Sequence, residues 1–151
     1  MEKLIIQSDI DKLPEVERFV DAVCDTYNIN NYVATISMSL LQAVKNAIVH
    51  GNGSNPEKHV TIESDFCKGG VYFKVSDEGQ GFDFKRYGAM PDQEEQGMGI
   101  YLMRTLSDKM TFTDNGRAVC LEYVIDGIEA SRALERIMTL HNFYSPKMVN
   151  A

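Results

Sequence analysis

Apolar residues recur along this chain in two rhythms, one near every third or fourth position and one at every second, and the change from one to the other lays out its elements. Leu4-Ile5-Ile6 opens as a short strand, after which Ser8, Asp9 and Pro14 mark the entry to a helix. Leu13, Val16, Phe19, Val20 and Val23 share one helical face, and the Asn-rich stretch 28–31 turns the chain. A longer helix follows from about Tyr32 to His50. Val33, Ile36, Leu40, Ala43, Val44 and Ala47 form its apolar stripe, with Ser39, Gln42, Asn46 and partly His50 on another face. Gly51-Asn52-Gly53-Ser54-Asn55-Pro56 stops it.

The second rhythm then takes over. Val60, Ile62, Ser64 and Phe66 alternate, as do Val71, Phe73 and Val75 beyond Lys68-Gly69-Gly70, so residues 58–76 predict a hairpin. Ile100, Leu102, Met103 and Leu106 predict a helix beginning near Ile100, and residues 110–113 and 118–124 predict two strands around Asn115-Gly116. The core ends near Asp126. Ile128, Leu134, Ile137, Met138 and Leu140 suggest an amphipathic helix that Ser145-Pro146 ends before a tail. The order β, α, α, β, β, loop, α, β, β predicts an α+β protein, a two-layer sandwich of a mixed sheet with helices on one face. One domain spans 1–126, and 127–151 is a C-terminal helix and tail; no internal repeat is visible.

Composition narrows the partners. The 151 residues carry 15 Lys and Arg against 22 Asp and Glu, a formal charge of −7, which argues against direct nucleic-acid binding through phosphate contacts. With 44% hydrophobic and 25% charged residues, the chain suits one globular core and not a disordered segment. No stretch approaches the roughly 20 apolar residues of a membrane helix, and acid follows the first apolar run at once, so a cytoplasmic protein without membrane attachment is expected. Cys24, Cys67 and Cys120 are odd in number and scattered, which predicts reduced thiols.

Candidate chemistry gathers at three places. Asp77-Glu78-Gly79-Gln80-Gly81-Phe82 follows a predicted strand; an Asp there can accept a hydrogen bond from an exocyclic amine such as adenine's, and two glycines let backbone approach a flat ring. Gly97-Met98-Gly99 feeds the helix near Ile100, and the free N–H groups of a helix start suit phosphate. Gln42, Asn46 and His50 lie at i, i+4 and i+8 of the long helix, where Asn46 offers a carboxamide oxygen to a hard cation such as Mg2+. Taken singly these are a glycine turn, a helix start and a polar helix face; together they enclose a nucleotide. The loop between the first two, residues 77–98, is too long for a passive connection.

These three segments resemble the GHKL group of ATP-binding domains and, within it, the bacterial anti-sigma-factor serine kinases. The resemblance runs over roughly residues 4–125. It rests on Leu41-Gln42-Ala43-Val44-Lys45-Asn46-Ala47-Ile48-Val49-His50-Gly51, on Asp77 to Phe82, and on Gly97 to Met103 with Leu106-Ser107-Asp108. It implies a GHKL (Bergerat) ATPase fold that binds ATP with Mg2+. Asn46 would be the metal ligand, Asp77 the reader of adenine, and Gly79 and Gly81 would lie beside the ring. Gly97, Met98 and Gly99 would meet the phosphates under a lid of residues 83–96, with His50 at the site. It further implies a sigma factor and a STAS-type anti-anti-sigma protein as partners, and a homodimer.

Two departures stand out. Where these kinases carry a Glu as general base, this chain has Gln42, a neutral amide that cannot take up a proton near pH 7. Gly116-Arg117-Ala118 replaces a Gly-Thr pair, so Arg117 either supplies a cation or faces water. Arg104 and the loop acids Glu94 and Glu95 read as solvated side chains with a secondary claim on the site. Three functions fit: an anti-sigma factor with weakened serine kinase activity, a non-catalytic ATP-dependent partner-switching module, and a histidine-kinase-like ATPase domain.

Overall fold

Alternation in five segments produces five strands whose apolar residues fall into register. A computed structural model describes residues 1–84 and 95–149, the side chains of 95, 96 and 144–149 excepted. Its strands are β1 (Glu2–Gln7), β2 (His59–Cys67), β3 (Gly70–Ser76), β4 (Lys109–Thr113) and β5 (Ala118–Val124), in the order β1-β2-β3-β5-β4. Leu4 stands opposite Ile62, Ile62 opposite Val75, Val75 opposite Val119 and Val119 opposite Phe112, one apolar row across the whole sheet. A one-residue slip in any strand would turn this row to solvent, which is what holds the register.

The helices are α1 (Leu13–Thr26), α2 (Val33–Asn46), α3 (Glu95–Leu106) and α4 (Ile128–Val149). α2 packs on α1, on α3 and on the sheet through Ile36, Leu40, Ala43 and Val44, all buried. Deleting a side chain such as Leu40 from packing of this kind costs about 2–5 kcal/mol. Phe73, fully buried on β3, meets the edges of Phe19 from α1 and Tyr123 from β5. The three cysteines are free thiols.

The two-layer α+β sandwich is as the patterning predicts, with five corrections. The sheet is antiparallel throughout, not mixed, because its non-sequential neighbours β3 and β5 also run in opposite directions. α3 starts at Glu95, five residues before the expected Ile100, so Gly97 and Gly99 sit inside its first turns. Ser39 leaves the polar face of α2: fully buried, it shares a 2.5 Å hydrogen bond with the Tyr123 hydroxyl and donates to the Thr35 carbonyl at 2.8 Å.

α4 continues through Pro146, whose missing N–H leaves the exposed Asn142 carbonyl to water. Finally, the 22-residue helical stretch Asn30–Gly51 is long and apolar enough to cross a membrane by composition. Here its apolar side is the core face of α2 and the turns that flank it.

Candidate functional site

α2 does not end as an α-helix. Residues Ala47–Gly51 form a π-helical turn, closed by the Asn52 N–H on the Ala47 carbonyl at 2.8 Å. Such wide turns are frequent at functional sites. This one swings Gly51 beneath the segment that leaves β3. A Cβ on Gly51 would overlap the Asp77 carboxylate, and one on Gly79 would overlap the Gly51 carbonyl oxygen. Both positions therefore require a bare backbone.

Asp77 is fixed at both ends. Its N–H donates to the Arg117 carbonyl at 2.9 Å, and its Oδ1 accepts the Gly79 N–H at 2.8 Å. Burial pushes its carboxyl above the usual range, partly offset by that Gly79 N–H and by the Arg117 guanidinium. The next contact is again backbone on backbone: the Phe82 N–H donates to the Asn115 carbonyl at 3.2 Å. Gly81, at φ +83°, comes so close that a Cβ would overlap the Asn115 carbonyl oxygen.

Between α2 and the sheet lies a narrow cavity of about 30 Å³, open to solvent on one side. Ala43, Ala47, Val75, Met103, Phe112 and Val119 make its walls apolar; Asn46, His50, Asp77 and Arg117 supply its polar groups, and Gly81 its backbone. The Asn46 Nδ2 is buried without a hydrogen-bond partner. Apolar walls that carry one carboxylate suit a planar ring bearing an amine.

The glycines expected at phosphate lie at the α2–α3 contact. Gly97 and Gly99 are buried and Met98 is exposed, and none of the three lines the cavity. A Cβ on Gly99 would stand 3.2 Å from Gln42 Oε1 and 3.5 Å from Asn46 Oδ1, so Gly99 allows α3 to approach both side chains. Gln42 sits behind the cavity and not in its wall. Residues 85–94, most of the expected lid and including Glu94, lie outside the described residues, as does the side chain of Glu95. Arg104 is on α3 away from the lining.

Arg117 is neither a free cation nor simply turned to water. It lines the cavity while bonding Asp114 through Nη2 at 3.0 Å and Nε at 3.3 Å. This pairing holds the Asp114 carboxyl below its usual range. His50 lies in the π-helical turn at the cavity rim, exposed.

Sequence reasoning misses four contributors: Gly51, Asn52, Asn115 and Gly116. All were read as turn residues, and nothing in a turn's composition tells which backbone it will touch. Among the described residues no cluster of three or more His, Cys, Asp or Glu could hold a metal ion. A cation here would take the Asn46 oxygen together with oxygens of a bound phosphate and water, as Mg2+ commonly does.

Residues 6–123 match the family described as the histidine kinase-like ATPase domain. An anti-sigma F factor of Clostridium botulinum (strain Eklund 17B / Type B) is 30% identical over 82 residues, 50% of this chain and 57% of that protein. An anti-sigma F factor of Clostridium perfringens (strain 13 / Type A) is 32% identical over 81 residues, 50% of this chain and 58% of that protein. That of Clostridium novyi (strain NT) is 27% identical over 106 residues, 64% of this chain and 74% of the relative. The chain thus spans less than two thirds of the first two relatives.

Proposed function

This chain belongs to the histidine kinase-like ATPase domain family, and from that premise we propose that it is an ATP-binding anti-sigma factor. It sequesters a sigma factor and is countered by a STAS-type anti-anti-sigma protein. The observation that carries this reading is the meeting of Asp77 and Asn46 in one cavity, with the Asn46 Nδ2 buried and unpartnered among the described residues. An unsatisfied buried donor costs about 1–3 kcal/mol, which a ligand reaching it removes. The relatives' name, anti-sigma F factor, supports the sigma-factor half of the proposal. Such a partner places the protein in the bacterial cytoplasm. Residues 1–126 form the nucleotide unit of a homodimer, with 127–151 as an appended helix and tail.

In this reading Ala43 and Val119 would offer apolar contact to the adenine ring, and the Asp77 carboxylate would accept a hydrogen bond from its exocyclic amine. Gly79 and Gly81 would keep side chains away from the ring. Asn46 would hold Mg2+ through its oxygen and donate from its nitrogen to a phosphate oxygen; the metal would supply positive charge against the phosphates. Of the Gly97-Met98-Gly99 run, Gly97 in the first turn of α3 is the residue whose N–H lacks a helical partner and would be free for a phosphate. His50 closes the rim.

Transfer to a serine of the antagonist requires the hydroxyl to lose its proton. Gln42 occupies the base position and cannot accept that proton, so transfer depends on positioning and electrostatics and is slow. Gln42 equally favours a second reading, in which ATP is a regulatory ligand and switching occurs by partner exchange alone.

Radiolabelled MgATP with the cognate antagonist separates the two. The first reading expects slow labelling by wild type and a gain of about 10²–10⁴ in Gln42→Glu, the usual worth of a positioned base. Labelling by Gln42→Glu alone supports the second. A wild-type protein that does not bind MgATP overturns both.

A further inference from the structure

Asn52 touches no part of the cavity, yet it is 3% exposed and all of its side-chain polar atoms are engaged. Its Nδ2 donates to Ser8 Oγ at 2.8 Å and to the His59 carbonyl at 3.0 Å, while its Oδ1 accepts the Glu78 N–H at 2.8 Å. Its backbone N–H closes the π-helical turn on Ala47, and Ser8 Oγ donates onward to the Lys58 carbonyl at 2.8 Å. One carboxamide thus joins the end of β1, the end of α2, the start of β2 and the loop after β3. Glu78 adds a second tie, accepting the His59 N–H on its carboxylate.

The bond to Glu78 falls between the two residues that aim at the base. Asp77 is one position before it and Gly79 one after, and Gly79 rests on the carbonyl of Gly51, the residue preceding Asn52. The Asp77 loop and the turn beneath it therefore have a common anchor. We propose that Asn52 is a positioning residue for base selection: it sets the height of the Asp77–Gly79 segment over Gly51, and so the reach of the Asp77 carboxylate toward a 6-amino purine. This rests on the adenine reading of Asp77. Hydrogen bonds weaken steeply as distance and angle leave their narrow range, so a sub-ångström release of the loop diminishes amine recognition before it empties the cavity.

The readout that separates positioning from general loosening is selectivity. ATP and ITP differ at the purine 6-position, amine against carbonyl, and share ribose and triphosphate. In titrations with fluorescent ATP and fluorescent ITP, wild type prefers ATP. In Asn52→Ala, verified as folded by circular dichroism, the preference falls by about ten- to a hundredfold, the worth of a hydrogen bond to a charged group. ITP affinity stays close to wild type. Ser8→Ala removes only the remote partner of Nδ2 and lowers the preference by up to about tenfold; it serves as the test if Asn52→Ala does not fold. An undiminished preference in the folded variant overturns this inference alone. A wild type that does not distinguish ATP from ITP overturns the adenine reading, and the inference with it.

Discussion

At the end of the cavity around Asp77, glycines make room for backbone: Gly79 lies against the Gly51 carbonyl, Gly81 against the Asn115 carbonyl and Gly116 against Phe82. At the end formed by α2 and α3, Gly99 faces the tips of two side chains, Gln42 and Asn46, at ordinary or slightly tight distance. The difference lies in what can yield. A peptide carbonyl is fixed by the chain on either side of it and cannot easily move aside, whereas a side-chain amide can rotate. The end proposed for the base is therefore part of the fold, and a change there should register as lost stability. The end proposed for phosphate is a contact between two helices, and a change there should register as altered ligand binding.

Replacing Gly79 by Ala tests the first half of that contrast and should have the largest effect. The added methyl overlaps the Gly51 carbonyl oxygen. Overpacking against immobile atoms costs about 1–3 kcal/mol or more, and about 2–4 °C in melting temperature accompanies each kcal/mol in a chain of this size. Thermal denaturation followed by circular dichroism should show the drop without nucleotide. A variant melting with wild type would mean that the loop does not rest on Gly51.

Gly99→Ala tests the other half and should part stability from binding. Ala gains about 0.5–1 kcal/mol over Gly in a helix, and the Gln42 amide 3.2 Å away can give by the few tenths of an ångström required. The melting temperature should hold or rise slightly. ATP affinity should fall several-fold, by roughly 1 kcal/mol, as the methyl crowds Asn46 where phosphate would approach. A loss of stability like that of Gly79→Ala would erase the contrast.

Much of the scaffold was legible because it depends on periodicity. The alternation in β2, β3 and β5 and the stripe on α2 each specify a buried face, and the structure buries those faces. The Asp77 segment was legible as an acid ahead of two glycines at a strand end. What escaped depends on partners distant in sequence. Asn52 reads as a turn residue until its amide is seen bonded to Ser8, 44 positions earlier, and to Glu78, 26 later. Ser39 reads as a polar-face residue until Tyr123 supplies a hydroxyl inside the core. Neither the π-helical turn nor the early start of α3 carries a periodic signal, because each follows from tertiary contact between α2, α3 and the Asp77 loop.

The smallest effect concerns acid, and it distinguishes the two carboxylates on either side of Arg117. Burial raises the pKa of Asp77, while the Arg117 guanidinium lowers that of Asp114. The unfolded chain ionises Asp77 more readily than the folded one, so its burial penalty applies in full above the raised pKa and fades as pH falls toward the ordinary carboxylate value. Asp114 has the opposite sign: its contribution is present above the ordinary value and is lost only as pH falls through the lowered one. Mild acid therefore protonates Asp77 while the Asp114–Arg117 pair persists. A protonated Asp77 is a poorer acceptor for an amine, so ATP affinity should decline at a pH above the ordinary carboxylate range of about 4, before the fold weakens. ATP itself also takes up protons in acid, and Asp77→Asn titrated in parallel isolates the part due to the carboxyl. Coincident profiles for wild type and Asp77→Asn would remove Asp77 from base recognition and leave the base end of the cavity with a structural role only.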